Sequence, residues 1–193
     1  VGAPEDLFQC IKETSNEKTS ELMSACDFAM ATGGAALIKV VYAAGKPAHT
    51  VGAGNVVSIV DETADLAAAA SKIARSKVAN YATSCSSENA AAIHESVYDK
   101  MINALKSEGG YMCNTEEREK VRKALWPDGK TLNRDIVGTP AQYIAQVAGI
   151  DIPSNVRFLM VIGEKIGPED RFSVHSFSSC SLFFPVTSRT PSL

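Results

Sequence analysis

The chain has 193 residues, room for one domain or a domain and a half, and its 45% hydrophobic and 21% charged residues fit an ordered, soluble globular protein. A net charge of −3 provides no basic field to draw nucleic acid or an anionic membrane. No apolar run reaches the ~20 residues that a membrane-spanning helix needs.

In chain order, the first ten residues, VGAPEDLFQC, lack a basic start followed by an apolar core, so no secretory signal is expected there. The chain does not begin with Met, which fits a fragment or a processed chain. Leu7 to Ile11 is a short apolar run, Ser20 to Ala25 reads as a short helix, and Phe28 to Ala31 as a short strand ending in Thr32-Gly33-Gly34. Ala35 to Ala44 is a helix of small and apolar residues, closed by the turn Gly45-Lys46-Pro47. Val56 to Val60 is a β-branched run that predicts a buried strand. Asp65 to Ala79 is Ala-rich and helical, with Glu62 and Asp65 near its positive end. Ala90 to His94 predicts a strand, and Val97 to Leu105 an amphipathic helix with Val97, Met101, Ile102 and Leu105 on one face. Glu116 to Leu125 and Pro140 to Ala148 predict helices, and Arg157 to Gly163 the last strand. Strands alternating with helices imply βαβ units and a mostly parallel sheet, an α/β fold. After Arg171 this rhythm is expected to stop. Ser173 to Ser181 holds five serines, and the chain closes on VTSRTPSL.

Five cysteines are present, Cys10, Cys26, Cys85, Cys113 and Cys180, with no CxxC or Cys/His ligand spacing. That pattern disfavours a disulfide framework and a structural metal site, and it suits a reducing, cytoplasmic setting. Three short segments could carry chemistry. In ATGGAALIKVVYAAGK, residues 31–46, a strand runs through Thr-Gly-Gly into a helix whose free N–H groups could hold a phosphate; such a Gly-Gly junction is more often only a turn, and it is not a GxGxxG fingerprint. In VGAGN, residues 51–55, two glycines allow a close backbone approach, or a simple bulge. In NYATSCSSEN, residues 80–89, Cys85 sits in a polar loop where a thiolate could be exposed and stabilised, although buried cysteines are commonly inert. His49, His94 and His175 are scattered, and no Ser-His-Asp or Cys-His spacing is legible.

The order of these segments resembles the aldehyde dehydrogenase family: ATGG, a helix, GKPAHTVGAGN, VVSIVDETADL, a helix, SCSSEN and AAIHESVYDKMINAL. The resemblance is closest to its coenzyme A-acylating branch, and ATSCSSEN looks most like the sulfoacetaldehyde dehydrogenases. It runs from Val1 to about Arg171 and implies partial three-layer parallel-sheet domains. Residues 1–48 would be the end of the dinucleotide-binding domain, 49–171 part of the catalytic domain, and 172–193 a divergent tail.

By the same resemblance, Cys85 is the nucleophile, which takes the acyl group of an aldehyde as a thioester and passes it to coenzyme A. NAD or NADP is the implied cofactor. Thr32, Gly33 and Gly34 match the turn at its phosphates, and Val51 and Gly52 the loop beside the nicotinamide. Hydrolytic members carry a Glu in an ELGGK-type motif; aligning VGAGN with it puts Thr50 at the Glu position, and Thr50 cannot act as a general base, which favours thiol transfer over hydrolysis. The Glu that holds the nicotinamide ribose falls roughly on His175. The implied partners are a small aldehyde, with sulfoacetaldehyde first and succinate semialdehyde second, and further copies of the same chain in a homo-oligomer. Two rival readings stay open. One is a catalytically inactive truncated fragment, at most an interaction module, since family members are well over twice this length and this chain alone is expected to have no dehydrogenase turnover. The other is a thiol-dependent transferase or esterase that uses Cys85 without nicotinamide.

Overall fold

The computed structural model describes residues 2–52, 54–164, 169–173 and 180–186, the last of these as backbone. The chain divides into two compact units, Val1–Ala53 and Gly54–Leu193.

The first unit is a single β-α-β turn preceded by a helix. Helix α1, Asn16–Ala25, starts where the Ser15 hydroxyl accepts the Lys18 amide at 3.2 Å. It begins a turn earlier than Ser20 because that cap, rather than apolar spacing, sets its start. Strand β1 (Ala29–Thr32), helix α2 (Ala35–Ala43) and strand β2 (Ala48–Val51) follow. The two strands pair in parallel, Ala29 opposite Ala48 through Thr32 opposite Val51. Ala29, Ala31 and Val41 are buried, with Met23, Cys26, Leu37 and Ala48 packed around them. The run from Leu7 to Ile11 forms no helix or strand and is exposed.

The second unit is a parallel sheet between two helical layers. Its strands are β3 (Val56–Val60), β4 (Glu88–His94), β5 (Gly110–Met112), β6 (Phe158–Ile162) and β7 (Cys180–Val186), in the order β3-β4-β7-β6-β5. Every strand pair is parallel. Helices α3 (Leu66–Val78) and α4 (Tyr98–Ser107) cover one face, and α5 (Thr115–Leu125) and α6 (Ala141–Ala148) the other. The period-2 alternation of strand side chains separates the two cores. Ala91, Ile93, Phe158 and Met160 join Ile73, Met101 and Leu105 on one side, whereas Ala90, Leu159 and Val161 join Val121, Leu125, Ile144 and Trp126 on the other. Strands buried on both faces read as continuous apolar runs, and FLMVI is one.

One expectation is overturned. The strand rhythm does not stop at Arg171: Cys180–Val186 enters the middle of the sheet between β4 and β6. Serine-rich flanks and Pro185 obscured it, since proline cannot donate to a ladder. Pro185 is tolerated because the pairing with β6 ends at Phe183, leaving it opposite only Ile93 of β4. Strands β2 and β5 were not expected either, because neither AHTV nor GYM is an apolar run. Among the described residues no helix is long and apolar enough to cross a membrane.

Helix α5 carries the most complete cap. Asn114 Oδ1 accepts the Glu117 amide and the Glu117 carboxylate accepts the Asn114 amide, each at 2.9 Å. Replacing Asn114 with Ala orphans a helix amide and should cost about 1 kcal/mol. Urea unfolding should then show a lower midpoint at unchanged slope, and an unchanged midpoint would refute the cap's contribution.

Candidate active site

Cys85 is placed by the elements on either side of its loop. Helix α3 starts at Asp65, whose carboxylate accepts the Ala68 amide at 3.1 Å, and it buries Ala70, Ile73, Ala74 and Lys77 on one stripe. After its C-cap at Ala79, three non-glycine residues, Asn80, Tyr81 and Ala82, have φ of 47°, 52° and 61°. Each L-residue in this left-handed region costs about 1–2 kcal/mol, and such strain persists only where the surroundings hold it. Here Ala82 is fully buried, and the Asn80 carbonyl accepts both the Thr83 amide at 3.2 Å and the Thr83 hydroxyl at 2.8 Å.

A tight turn follows. The Ser87 amide donates to the Ser84 carbonyl at 3.1 Å, and the Ser84 and Ser86 hydroxyls lie 2.9 Å apart. Cys85 is exposed within this turn, whereas Cys113 is buried and Cys26 half-buried; Cys10 is also exposed. The chain then enters β4, where Asn89 is buried.

Register brings a second segment beside the loop. Strands β3 and β4 run parallel with Val56 opposite Glu88, so the residues preceding each strand lie side by side. Asn55 Oδ1 accepts from Asn89 Nδ2 at 3.0 Å, and a Cβ on Gly54 would stand 3.3 Å from the Cys85 carbonyl oxygen. Gly54 therefore permits the close backbone approach that VGAGN suggested.

Buried polar groups hold the foot of the loop. The Lys77 side chain is 0% exposed and its ammonium donates to Asn89 Oδ1 at 3.3 Å. Asn89 Nδ2 also donates to the Phe172 carbonyl at 3.3 Å. Phe172 is fixed in turn: its ring meets Trp126 edge-on at 5.1 Å and lies 5.2 Å beneath the Arg118 guanidinium. Arg118 pairs with the buried Asp170 at 3.1 Å and donates to the Ile162 carbonyl at 3.1 Å. Lys77, Asn89 and Phe172 were not singled out in the sequence. A signal was available for Lys77, because a lysine continuing the Ala70, Ile73, Ala74 stripe is out of place on a buried face.

The remaining candidates lie in the first unit and come together there. Thr32 is the register partner of Val51, and the Gly33 amide donates to the Val51 carbonyl at 3.0 Å. Gly34 is the N-cap of α2, with no side-chain cap bond, so the first amides of this helix are not covered by a capping side chain. Gly52 follows β2 directly. Thr50 is half-buried in β2, and its hydroxyl donates to the Tyr42 hydroxyl at 2.9 Å. His94 Nδ1 lies 2.8 Å from the Ser96 hydroxyl and caps the turn after β4, a structural role. His175 lies outside the described residues. Among the described residues no group of three His, Cys, Asp or Glu side chains could hold a metal.

The two adjacent glycines do different things. A Cβ on Gly33 would stand 2.8 Å from Leu37 Cδ2, whereas one on Gly34 meets nothing within 4 Å. Gly33→Ala makes the end of the Leu37 side chain move aside and should lower stability by about 0.5–1 kcal/mol, while Gly34→Ala should leave it nearly unchanged. Equal denaturation midpoints for the two variants would contradict this division.

Comparison with known proteins shows the family. Residues 1–112 match the aldehyde dehydrogenase family. Over 176 residues the chain is 44% identical to the sulfoacetaldehyde dehydrogenase (acylating) of Bilophila wadsworthia, an overlap of 89% of this chain and 38% of that protein. It is 37% identical to the succinate-semialdehyde dehydrogenase (acetylating) of Clostridium kluyveri, over 88% of this chain and 38% of that protein. The crystal structure of an acetylating aldehyde dehydrogenase from Geobacillus thermoglucosidasius superposes with a TM-score of 0.89 at 41% identity, covering 96% of this chain and 41% of that one. The chain thus spans about two fifths of the length of these relatives. On the family match and the shared fold, the chain belongs to the aldehyde dehydrogenase family.

Proposed function

We propose that this chain carries the nucleophile of an NAD(P)-dependent, coenzyme A-acylating aldehyde dehydrogenase, and that Cys85 is that nucleophile. The observation that supports this most is an exposed thiol in a turn held by left-handed backbone and buried polar side chains. A structural cysteine needs neither exposure nor a strained approach.

In this reading the Cys85 thiolate bonds to the aldehyde carbon, giving a thiohemiacetal on Sγ. Its oxidation, for which a bound nicotinamide dinucleotide supplies the hydride acceptor, leaves the acyl group on Cys85 as a thioester. The thiol of coenzyme A takes the acyl group and Cys85 leaves as thiolate. Thr32, Gly33 and Gly34 would hold the dinucleotide phosphates. The chemistry fits, because the α2 amides have no capping side chain and the side of Gly34 that a Cβ would occupy is open. Val51 and Gly52 would border the nicotinamide. Thr50 supports acyl transfer over hydrolysis: its hydroxyl is engaged by Tyr42 and offers no carboxylate to activate water.

The relatives named above favour sulfoacetaldehyde as the aldehyde, then succinate semialdehyde. We assign the first unit, Val1–Ala53, to the end of a dinucleotide-binding domain and the second, Gly54–Leu193, to part of a catalytic domain, which moves the expected boundary from 48 to the far side of β2 and brings β7 into the second domain. A cytoplasmic homo-oligomer acting on small molecules completes the reading.

Two experiments test it. Limited iodoacetamide treatment with mass-spectrometric mapping should modify Cys85 first; preferential labelling of Cys10, Cys26 or Cys113 would sink the assignment. In the full-length protein, Cys85→Ala should abolish coenzyme A-dependent reduction of NAD(P)⁺ with either aldehyde. There too, Thr50→Glu should raise the ratio of free acid to acyl-coenzyme A. An unchanged ratio would show that position 50 does not face the acyl group.

A further inference from the structure

We infer that Lys77, acting through Asn89, is a positioning residue for the Cys85 loop; the inference rests on the reading of Cys85 as nucleophile. Lys77 stands in the last turn of α3 and Asn89 at the start of β4, so the bond between them closes the loop that carries Cys85 at its foot. A buried ammonium is costly to hold in an apolar layer unless it is paired. The side chains around it on α3, Ala70, Ile73 and Ala74, are apolar, so a role in packing alone would be filled better by Met or Leu.

Lysine brings direction. An ammonium only donates, so it fixes which end of the Asn89 amide faces it. With Oδ1 turned to Lys77, Nδ2 is left to donate, and it does so to Asn55 Oδ1 and to the Phe172 carbonyl. Those two acceptors belong to the segment beside Cys85 and to the turn locked by Arg118 and Asp170. The donor chain therefore runs from Lys77 through Asn89 into both walls of the loop. Without the ammonium Asn89 Oδ1 loses the Lys77 donor, and the amide is held from its Nδ2 side alone, by Asn55 and Phe172. The foot of the loop would then be held less firmly against Gly54 and Asn55.

The test uses the 193-residue chain with Lys77→Met, Asn89→Leu and the double variant. The double variant replaces the polar pair by apolar side chains of similar size, an exchange that is generally well tolerated, and so serves if a single variant fails to fold. The readout is the ratio of iodoacetamide alkylation rates at Cys85 and Cys10, both exposed, followed across pH in samples whose circular dichroism matches the parent. Each variant should lower the ratio about tenfold throughout the pH profile while leaving the Cys10 rate unchanged. The double variant should be no worse than either single one, because both changes cut the same chain of donors. A folded double variant with the parent ratio and profile would overturn the inference, leaving Lys77 with a role in stability alone. If instead Cys85 in the unaltered chain reacts no faster than Cys10, the nucleophile assignment itself fails.

Discussion

The parallel pairing of β3 with β4 is the constraint on which the candidate site depends. Register in a parallel pair is set by ladder hydrogen bonds and by which side chains enter each core. The register from Val57 opposite Ala90 to Val60 opposite Ile93 puts Val60 and Ile93 into the same apolar layer; at the other end it shifts by one residue, with Val56 opposite Glu88, and sets Gly54 and Asn55 against the turn holding Cys85. A slip of one residue would turn Ile93 toward the opposite face and separate Asn55 from Asn89. Core packing and site geometry are therefore one condition: burial of apolar side chains far from Cys85 positions the backbone beside it.

That condition also bears the strain of the loop. Three successive residues at positive φ oppose folding by a few kcal/mol in total, a large share of the stability of an ordinary domain. They are held by a buried alanine, a carbonyl that accepts twice, and a polar chain running from Lys77 to Phe172. The chain ends on a buried ion pair, Arg118 with Asp170, where each side chain is under a tenth exposed. Asp170 also accepts the amides of Glu164 and Phe172, which spreads its charge over several donors. Groups this dependent on one another rigidify what they surround, here the foot of the turn that exposes Cys85.

The first unit follows a different logic. Its core is small, with Ala29, Ala31 and Val41 at its centre, while Met30 and Phe28 on and beside β1 are exposed. Its geometry is set by close packing rather than by bulk. Gly33 lets β1 turn into α2 against Leu37, and the Gly33 amide on the Val51 carbonyl ties the ends of the two strands together. Gly34 has no packing reason to be glycine, which makes its open side the more informative of the two.

The amino-acid pattern determined the class of fold and most of its elements. Apolar runs such as FLMVI, and stripes such as Val97, Met101, Ile102 and Leu105, encode burial directly, because the periods of strand and helix are local properties of the chain; VVSIV, expected to be buried, is the edge strand β3 and leaves Val57 and Ile59 exposed. The order of ATGG, VGAGN and SCSSEN was enough for the family resemblance and for marking Cys85, Thr32, Gly33, Gly34, Val51 and Gly52. What the pattern could not carry was set by partners distant in sequence. Strand β7 adjoins a serine-rich stretch and carries a proline, and its place between β4 and β6 makes it a strand. The pairing of Thr32 with Val51, the approach of Gly54 to the Cys85 carbonyl, and the bonds from Asn89 to Lys77, Asn55 and Phe172 join residues 12 to 83 positions apart. Local propensity is blind to such contacts, since each exists only once the sheet has fixed its register and buried the groups that must then be satisfied.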